Sequence, residues 1–313
     1  MFTAIHPASI VCCRERTIVT SDGVRLAVRD FGSAAAERTV VLLHGFCLTQ
    51  DSWAVQVRDL VQQWGTSIRI VTYDHRGHGR SSSAPMHTYR IDRLAADLAD
   101  VLTALHVSGP LTIAGHSMGG MTALAYLGRP AADRPVQPSG LVLIATAAGK
   151  LAERGIGRLI STPATEALFE IVDRAPRFAT EWAVKAIARS LSDTLLALPG
   201  LDATPRTALT ALPTNSLTTA AGFLLGLKRY DQYDTLASIA AKTVVVSGGK
   251  DFATPVSHAD DLTAAITGAV HTHLPSAGHM LLQETPHHVS AAINRSIAPT
   301  PCAQTLEGVD AVA

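Results

Sequence analysis

The 313-residue sequence lacks an excess of charge, with 26 Lys and Arg set against 26 Asp and Glu. With no net charge, nothing in the composition invites nucleic acid or an anionic membrane surface as a partner. No apolar run approaches the ~20 residues of a membrane-spanning helix. Met1 to Cys13 lacks the basic start and apolar core of an export signal, so a soluble cytoplasmic protein is expected. Paired cysteine spacing is also missing: Cys12, Cys13, Cys47 and Cys302 fit neither a disulfide framework nor a metal knuckle. Lysine occurs only at 150, 185, 228, 242 and 250, amid abundant Arg and Ala, a bias that fits a GC-rich bacterial genome.

What is present is hydrophobic residue, 47% of the chain against 17% charged, enough for a large core. The length fits one α/β domain with an insertion. Alternating segments Arg16–Thr20 and Val24–Asp30 flank Ser21-Asp22-Gly23, a hairpin signal. Apolar runs at Thr39–Leu43 and Arg69–Tyr73 read as buried strands, and Leu111–Ala114, Gly140–Ala145, Thr243–Ser247 and Ala269–Leu274 complete the strands. Helical periodicity falls between them, as at Ile91, Leu94, Ala95, Leu98, Val101, Leu102 and Leu105. Further helices are predicted from Ser52 to about Trp64, capped by Asp51, near Val256–Ile266 and near His287–Ser296. Such alternation predicts an α/β fold with a mostly parallel, doubly wound sheet covered on both faces. The rhythm stops between 150 and 234, where no strand pattern occurs and Pro163, Pro176, Pro199, Pro205 and Pro213 punctuate helical stretches. The expected organisation is a core of residues 1–149 and 235–298, a helical cap insertion of 150–234, and a flexible tail of 299–313.

Gly115-His116-Ser117-Met118-Gly119 links a predicted strand to a predicted helix. In that context Gly-x-Ser-x-Gly is a nucleophile elbow: small residues two positions either side let strand and helix approach, and the turn lifts the hydroxyl clear of the sheet. Serine is a weak nucleophile and needs a base and an orienting acid. Asp251 follows one predicted strand and Gly278-His279 follows the next, giving the chain order Ser, Asp, His. Other histidines suit the role less well. His75 and His78 lie in a Gly-rich loop, and His287 and His288 begin a helix. His271 and His273 alternate on one strand with no third ligand for a metal. Asp231 and Asp234 precede a strand, the wrong end for chemistry, and read as solvated or capping.

His44-Gly45-Phe46, the Asp74–Ser82 loop, the Ser117 elbow, Asp251 with Pro255, and Gly278-His279 together resemble the α/β-hydrolase superfamily over nearly the whole length. The resemblance implies Ser117 as nucleophile, His279 as general base then acid, and Asp251 as the group holding the imidazole. It implies an oxyanion hole from the backbone N–H groups of Phe46 and Met118, a structural His44, and a lid at 150–234. Ser117 departs from the Asp nucleophile of related dehalogenases and epoxide hydrolases. His116 departs from the Asn usual in C–C bond hydrolases, and Phe46 departs from the His-Gly-Gly-Gly lipases. Esterases, lactonases, monoacylglycerol-lipase-like enzymes and cofactor-free haloperoxidases (perhydrolases) share the pattern.

The expected function is a serine hydrolase cleaving a carboxylic ester of an apolar, small-to-medium substrate through an acyl-enzyme, with no cofactor and no metal. The same triad also suits a lactonase, a perhydrolase or a C–C bond hydrolase. A hydrolase-fold ligand-binding protein is the rival of another class. Cys47, His116, Phe169, Trp182 and Phe223 are the candidate pocket residues, Cys47 being also readable as a small apolar filler. Charges within 150–234 nearly balance, which favours an apolar acyl or alcohol group.

Overall fold

Eight strands form one sheet in the order β1-β2-β4-β3-β5-β6-β7-β8. The computed structural model describes residues 12–155 and 214–297. The hairpin is β1 (Cys13–Val19) and β2 (Arg25–Phe31), paired antiparallel. Gly23 sits in its turn at φ +85°, where a side chain would be strained. β2 also runs antiparallel to β4 (Ile68–Tyr73). From β4 across β3 (Arg38–Leu43), β5 (Leu111–His116), β6 (Gly140–Ile144), β7 (Lys242–Gly248) and β8 (Val270–Leu274), every pairing is parallel.

β3, β4, β5 and β6 are buried at every residue, which is why they read as unbroken apolar runs. Alternate residues feed two cores. Val41, Leu43, Ile113 and Leu141 meet Leu94, Leu98 and Val101 of α2 (Ile91–Ala104) and Met121 and Leu124 of α3 (Met118–Leu127). Val40, Leu42, Ala114 and Val142 meet Leu60 of α1 (Ala54–Trp64) and, further along the chain, Val289 and Ile293. The chain moves from β3 to β4 on one side and then to β5 on the other, a reversal that opens a crevice at the strand C-termini.

The start of the first helix differs from the sequence reading. Thr49, extended at φ −132°, accepts the N–H of Asp51 and starts a 3-10 turn, Gln50–Trp53, ahead of α1. Asp51 therefore lies inside the turn and cannot cap it; its carboxylate pairs with Arg29. Within 150–234, the described residues form α4 (Thr214–Lys228), a short α5 (Tyr233–Leu236) and no strand. Phe169, Phe178, Trp182, the five prolines from Pro163 to Pro213, Cys302 and the tail lie outside the described residues. α6 (Val256–Ala265), α7 (Leu281–Glu284) and α8 (Pro286–Ser296) complete the order. Cys12, Cys13 and Cys47 are free thiols. Among the described residues no helix is long and apolar enough to cross a membrane.

Candidate active site

The elbow is built from steric necessity. Ser117 holds φ +51° and ψ −117°, uncommon for a residue with a side chain. A Cβ on Gly115 would lie 2.4 Å from the Gly119 backbone, and one on Gly119 would lie 2.2 Å from the Leu43 carbonyl. Only glycine at both positions lets β5, α3 and β3 converge. The strained serine is held by its own backbone: its N–H donates to the Ile144 carbonyl at 2.8 Å. Its carbonyl accepts the Gly120 N–H at 2.9 Å and the Thr146 hydroxyl at 2.7 Å.

Three segments from three strand ends then meet. His279 Nε2 lies 3.1 Å from Ser117 Oγ, and His279 Nδ1 lies 2.8 Å from Asp251 Oδ2. A carboxylate can only accept, so Nδ1 carries the proton and Nε2 is free to accept from the serine. Asp251 is fixed by the Ala253 N–H (2.8 Å), the Thr254 N–H (2.9 Å) and the Thr254 hydroxyl (2.8 Å). Burial pushes its acidity the other way, but the hydrogen bonds from His279 and Thr254 more than offset this and hold the carboxyl below its ordinary range. Thr254 was not visible as a site residue from sequence, although an Asp followed three residues later by Thr is a turn signal.

Phe46 and Met118 sit just past β3 and β5, and neither N–H donates a hydrogen bond among the described residues. The loop after Phe46 turns through Cys47 at φ +58°. A histidine network holds that turn. The Cys47 N–H donates to His78 Nε2 at 3.2 Å, and the His75 N–H donates to His44 Nε2 at 2.9 Å. His44 Nδ1 in turn donates to the Gly45 carbonyl at 2.8 Å. His44, His75 and His78 thus all serve as neutral packing groups, and His78 reaches closer to the site than its loop position suggested.

The remaining pocket candidates fall in different places. His116 is 1% exposed, packed against Gly45, with Nε2 donating to the His279 carbonyl at 2.9 Å. Desolvation, then the nearby His279, pushes it down to about 3, so it stays neutral. Phe223 is also fully buried, its ring 5.1 Å from Tyr89, 5.6 Å from His78 and 6.5 Å from Phe46. Cys47 is exposed, and desolvation by the surrounding protein pushes its thiol up to about 12. Phe169 and Trp182 lie outside the described residues. His271 Nε2 and His273 Nδ1 both bond the Ser247 hydroxyl, at 2.8 and 3.0 Å. Asp231 accepts the Tyr233 N–H at 2.9 Å, a capping contact. No group of three metal-ligating side chains occurs among the described residues.

Comparison with known proteins places this geometry. The family model for the alpha/beta hydrolase fold matches residues 38–286. A non-heme haloperoxidase of Rhodococcus erythropolis is 35% identical over 117 residues, 37% of this chain and 40% of that protein. A bifunctional esterase/perhydrolase of Acinetobacter calcoaceticus is 33% identical over 125 residues, 40% of this chain and 43% of that one. The matched segment is thus less than half of either relative. A thermophilic esterase from Thermogutta terrifontis superimposes with a TM-score of 0.65 at 25% identity, covering 90% of this chain and 97% of the other.

Proposed function

We propose, from the premise that this chain belongs to the α/β-hydrolase fold family, that it is a serine hydrolase cleaving a carboxylic ester of an apolar, small-to-medium substrate. The observation that carries the reading is the unbroken relay from Ser117 Oγ through His279 to Asp251, at 3.1 and 2.8 Å. Ser117 attacks the ester carbonyl while His279 Nε2 takes its proton. Asp251 keeps the imidazole in the tautomer that can accept and stabilises the imidazolium that results. The undonated N–H groups of Phe46 and Met118 receive the oxyanion. His279 then gives its proton to the departing alcohol, leaving an acyl-enzyme, and activates the water that releases the acid. Cys47 is no rival nucleophile, because a thiol pushed up to about 12 is neutral at pH 7.

The segment 150–234 is proposed as the lid that selects the acyl chain, with Trp182 and Phe169 as candidate pocket residues. Replacing Trp182 by Ala should then shift the chain-length preference by roughly 1–3 kcal/mol in relative kcat/KM, the scale of a hydrophobic pocket change. A series of p-nitrophenyl esters of increasing chain length tests the main reading, beside a lactone and a C–C cleavage substrate. Turnover of the shorter esters, lost in Ser117→Ala, is expected. Turnover surviving in that variant contradicts it.

The names of the haloperoxidase and esterase/perhydrolase relatives favour one second reading. Hydrogen peroxide in place of water on the acyl-enzyme would release a peracid and regenerate Ser117, and the peracid would oxidise bromide. Ser117-dependent peracid formation from a carboxylic acid and peroxide supports this reading. An ester hydrolase that makes no peracid above the Ser117→Ala background excludes it.

A further inference from the structure

His279 lies in an irregular segment between β8 and α7, where no sheet ladder fixes the backbone. Three hydrogen bonds replace the ladder, and they converge on the histidine. The Glu284 carboxylate reaches back from α7 and accepts two N–H groups, Gly278 on Oε2 at 2.6 Å and Met280 on Oε1 at 3.0 Å. These are the residues immediately before and after His279. The carbonyl of His279 itself accepts from His116 Nε2 at 2.9 Å, from beneath the nucleophile strand. The peptide plane that follows the His279 Cα is therefore tied at both its carbonyl and its Met280 N–H, and the Gly278 N–H ties the chain one peptide further upstream.

We propose that Glu284 and His116 are positioning residues for His279, holding the Cα–Cβ direction that brings Nε2 to Ser117. Neither side chain enters the Ser117–His279–Asp251 relay. The inference rests on the reading of His279 as general base. Its physical basis is the steep dependence of proton transfer on geometry, where a displacement of about 1 Å can cost on the order of 100-fold in rate. Asp251 fixes the ring through Nδ1, but one contact at the ring edge leaves the loop free to swing about it. Glu284 closes that freedom through a charged acceptor with two oxygens, matched to two donors. Glutamine keeps one carbonyl oxygen and so can serve one N–H well. His116→Phe keeps a ring against His279, now 5.1 Å away centroid to centroid, while removing the donor. His116 Nδ1 is already buried without a partner, so this replacement strips no second hydrogen bond from the core.

The test compares the full chain with Glu284→Ala, Glu284→Gln, His116→Phe and His279→Ala. Readouts are kcat and KM for a p-nitrophenyl ester, the rate of fluorophosphonate labelling at Ser117, and the melting temperature. Glu284 is exposed, so its variants leave the core packing intact. Glu284→Ala and His116→Phe should lower kcat and the labelling rate about 10- to 100-fold, with KM within about twofold of the parent. Glu284→Gln should fall between parent and Ala. In a His279→Ala background, adding Glu284→Ala should change the residual labelling rate less than twofold, because there is no imidazole left to position. Parent-like kcat and labelling in Glu284→Ala, beside a parent that labels at Ser117, overturns the positioning role alone. Losses that track melting temperature, or that persist in the His279→Ala background, assign Glu284 to loop stability and also overturn it. A parent chain that never labels at Ser117 contradicts the serine-hydrolase reading itself.

Discussion

Acidification from pH 7 to pH 5 should weaken the folded state by several kcal/mol through three histidines sealed in the core. His44 and His75 are 0% exposed and His116 is 1% exposed. Desolvation, reinforced by neighbouring histidines, lowers all three from their ordinary value, His75 and His116 to about 3 and His44 well below the usual range. Their folded forms thus bind fewer protons than the unfolded chain. The stability they contribute is complete above about pH 6.5 and is lost as pH falls from there toward 3. At about 1.4 kcal/mol per pH unit below 6.5, each costs about 2 kcal/mol by pH 5, or about 6 kcal/mol for the three. Asp97 works in the opposite sense: burial beside Arg76 pushes it up to about 6. On acidification to pH 5 it returns about 1 kcal/mol. The net loss of ~5 kcal/mol is a large share of the ~5–15 kcal/mol that holds a typical domain together. Guanidinium unfolding followed by circular dichroism at pH 7, 6 and 5 reads this directly, as a midpoint that falls at unchanged slope. His75→Gln, which removes one titrating group, should lessen the net pH dependence by about 2 kcal/mol, roughly two fifths. An unfolding free energy constant within ~1 kcal/mol over this range would refute the reasoning.

His279→Ala should match Ser117→Ala in its loss of kcat, about 10⁴- to 10⁶-fold, since residues acting as one unit fail together. Asp251→Asn should be milder, leaving residual turnover above the His279→Ala level in a steady-state ester assay. Arg76→Ala should cost about 3–5 kcal/mol in denaturant unfolding, because it strands the buried Asp97 carboxylate that it now meets at 2.5 Å. Phe223→Ala should lower stability by about 3–5 kcal/mol and reduce every ester equally. A shifted chain-length profile at unchanged melting temperature would instead place Phe223 in the acyl pocket.

Most of the sheet was legible because its central strands are buried on both faces and must be continuous apolar runs. The elbow was legible for a related reason: a Cβ on Gly115 or Gly119 would fall within 2.4 Å of neighbouring backbone, a constraint that leaves one residue type. Asp251 and His279 followed from strand order. The start of α1 was misplaced because Thr49 and Asp51 are both capping residues, and only the extended backbone at Thr49 decides between them. Supporting contacts stayed hidden because each joins segments remote in sequence. Thr146 meets the Ser117 carbonyl, His78 meets the Cys47 N–H, and His116 meets the His279 carbonyl. His116 read as a pocket residue from its place beside the nucleophile, yet the sharp turn at Ser117 sends the two side chains to different environments. Glu284 lies only five residues beyond His279, but a four-residue helix carries no pattern that marks a carboxylate as a backbone acceptor.

The proposed nucleophile is Ser117, activated by His279. Intact-mass analysis after treatment with a fluorophosphonate probe tests this assignment most directly, with peptide mapping of the adduct. One stoichiometric adduct on Ser117 is expected, absent from Ser117→Ala and formed at least about 100-fold more slowly in His279→Ala. No adduct on the parent chain, an adduct on another residue, or undiminished labelling of His279→Ala would contradict the assignment.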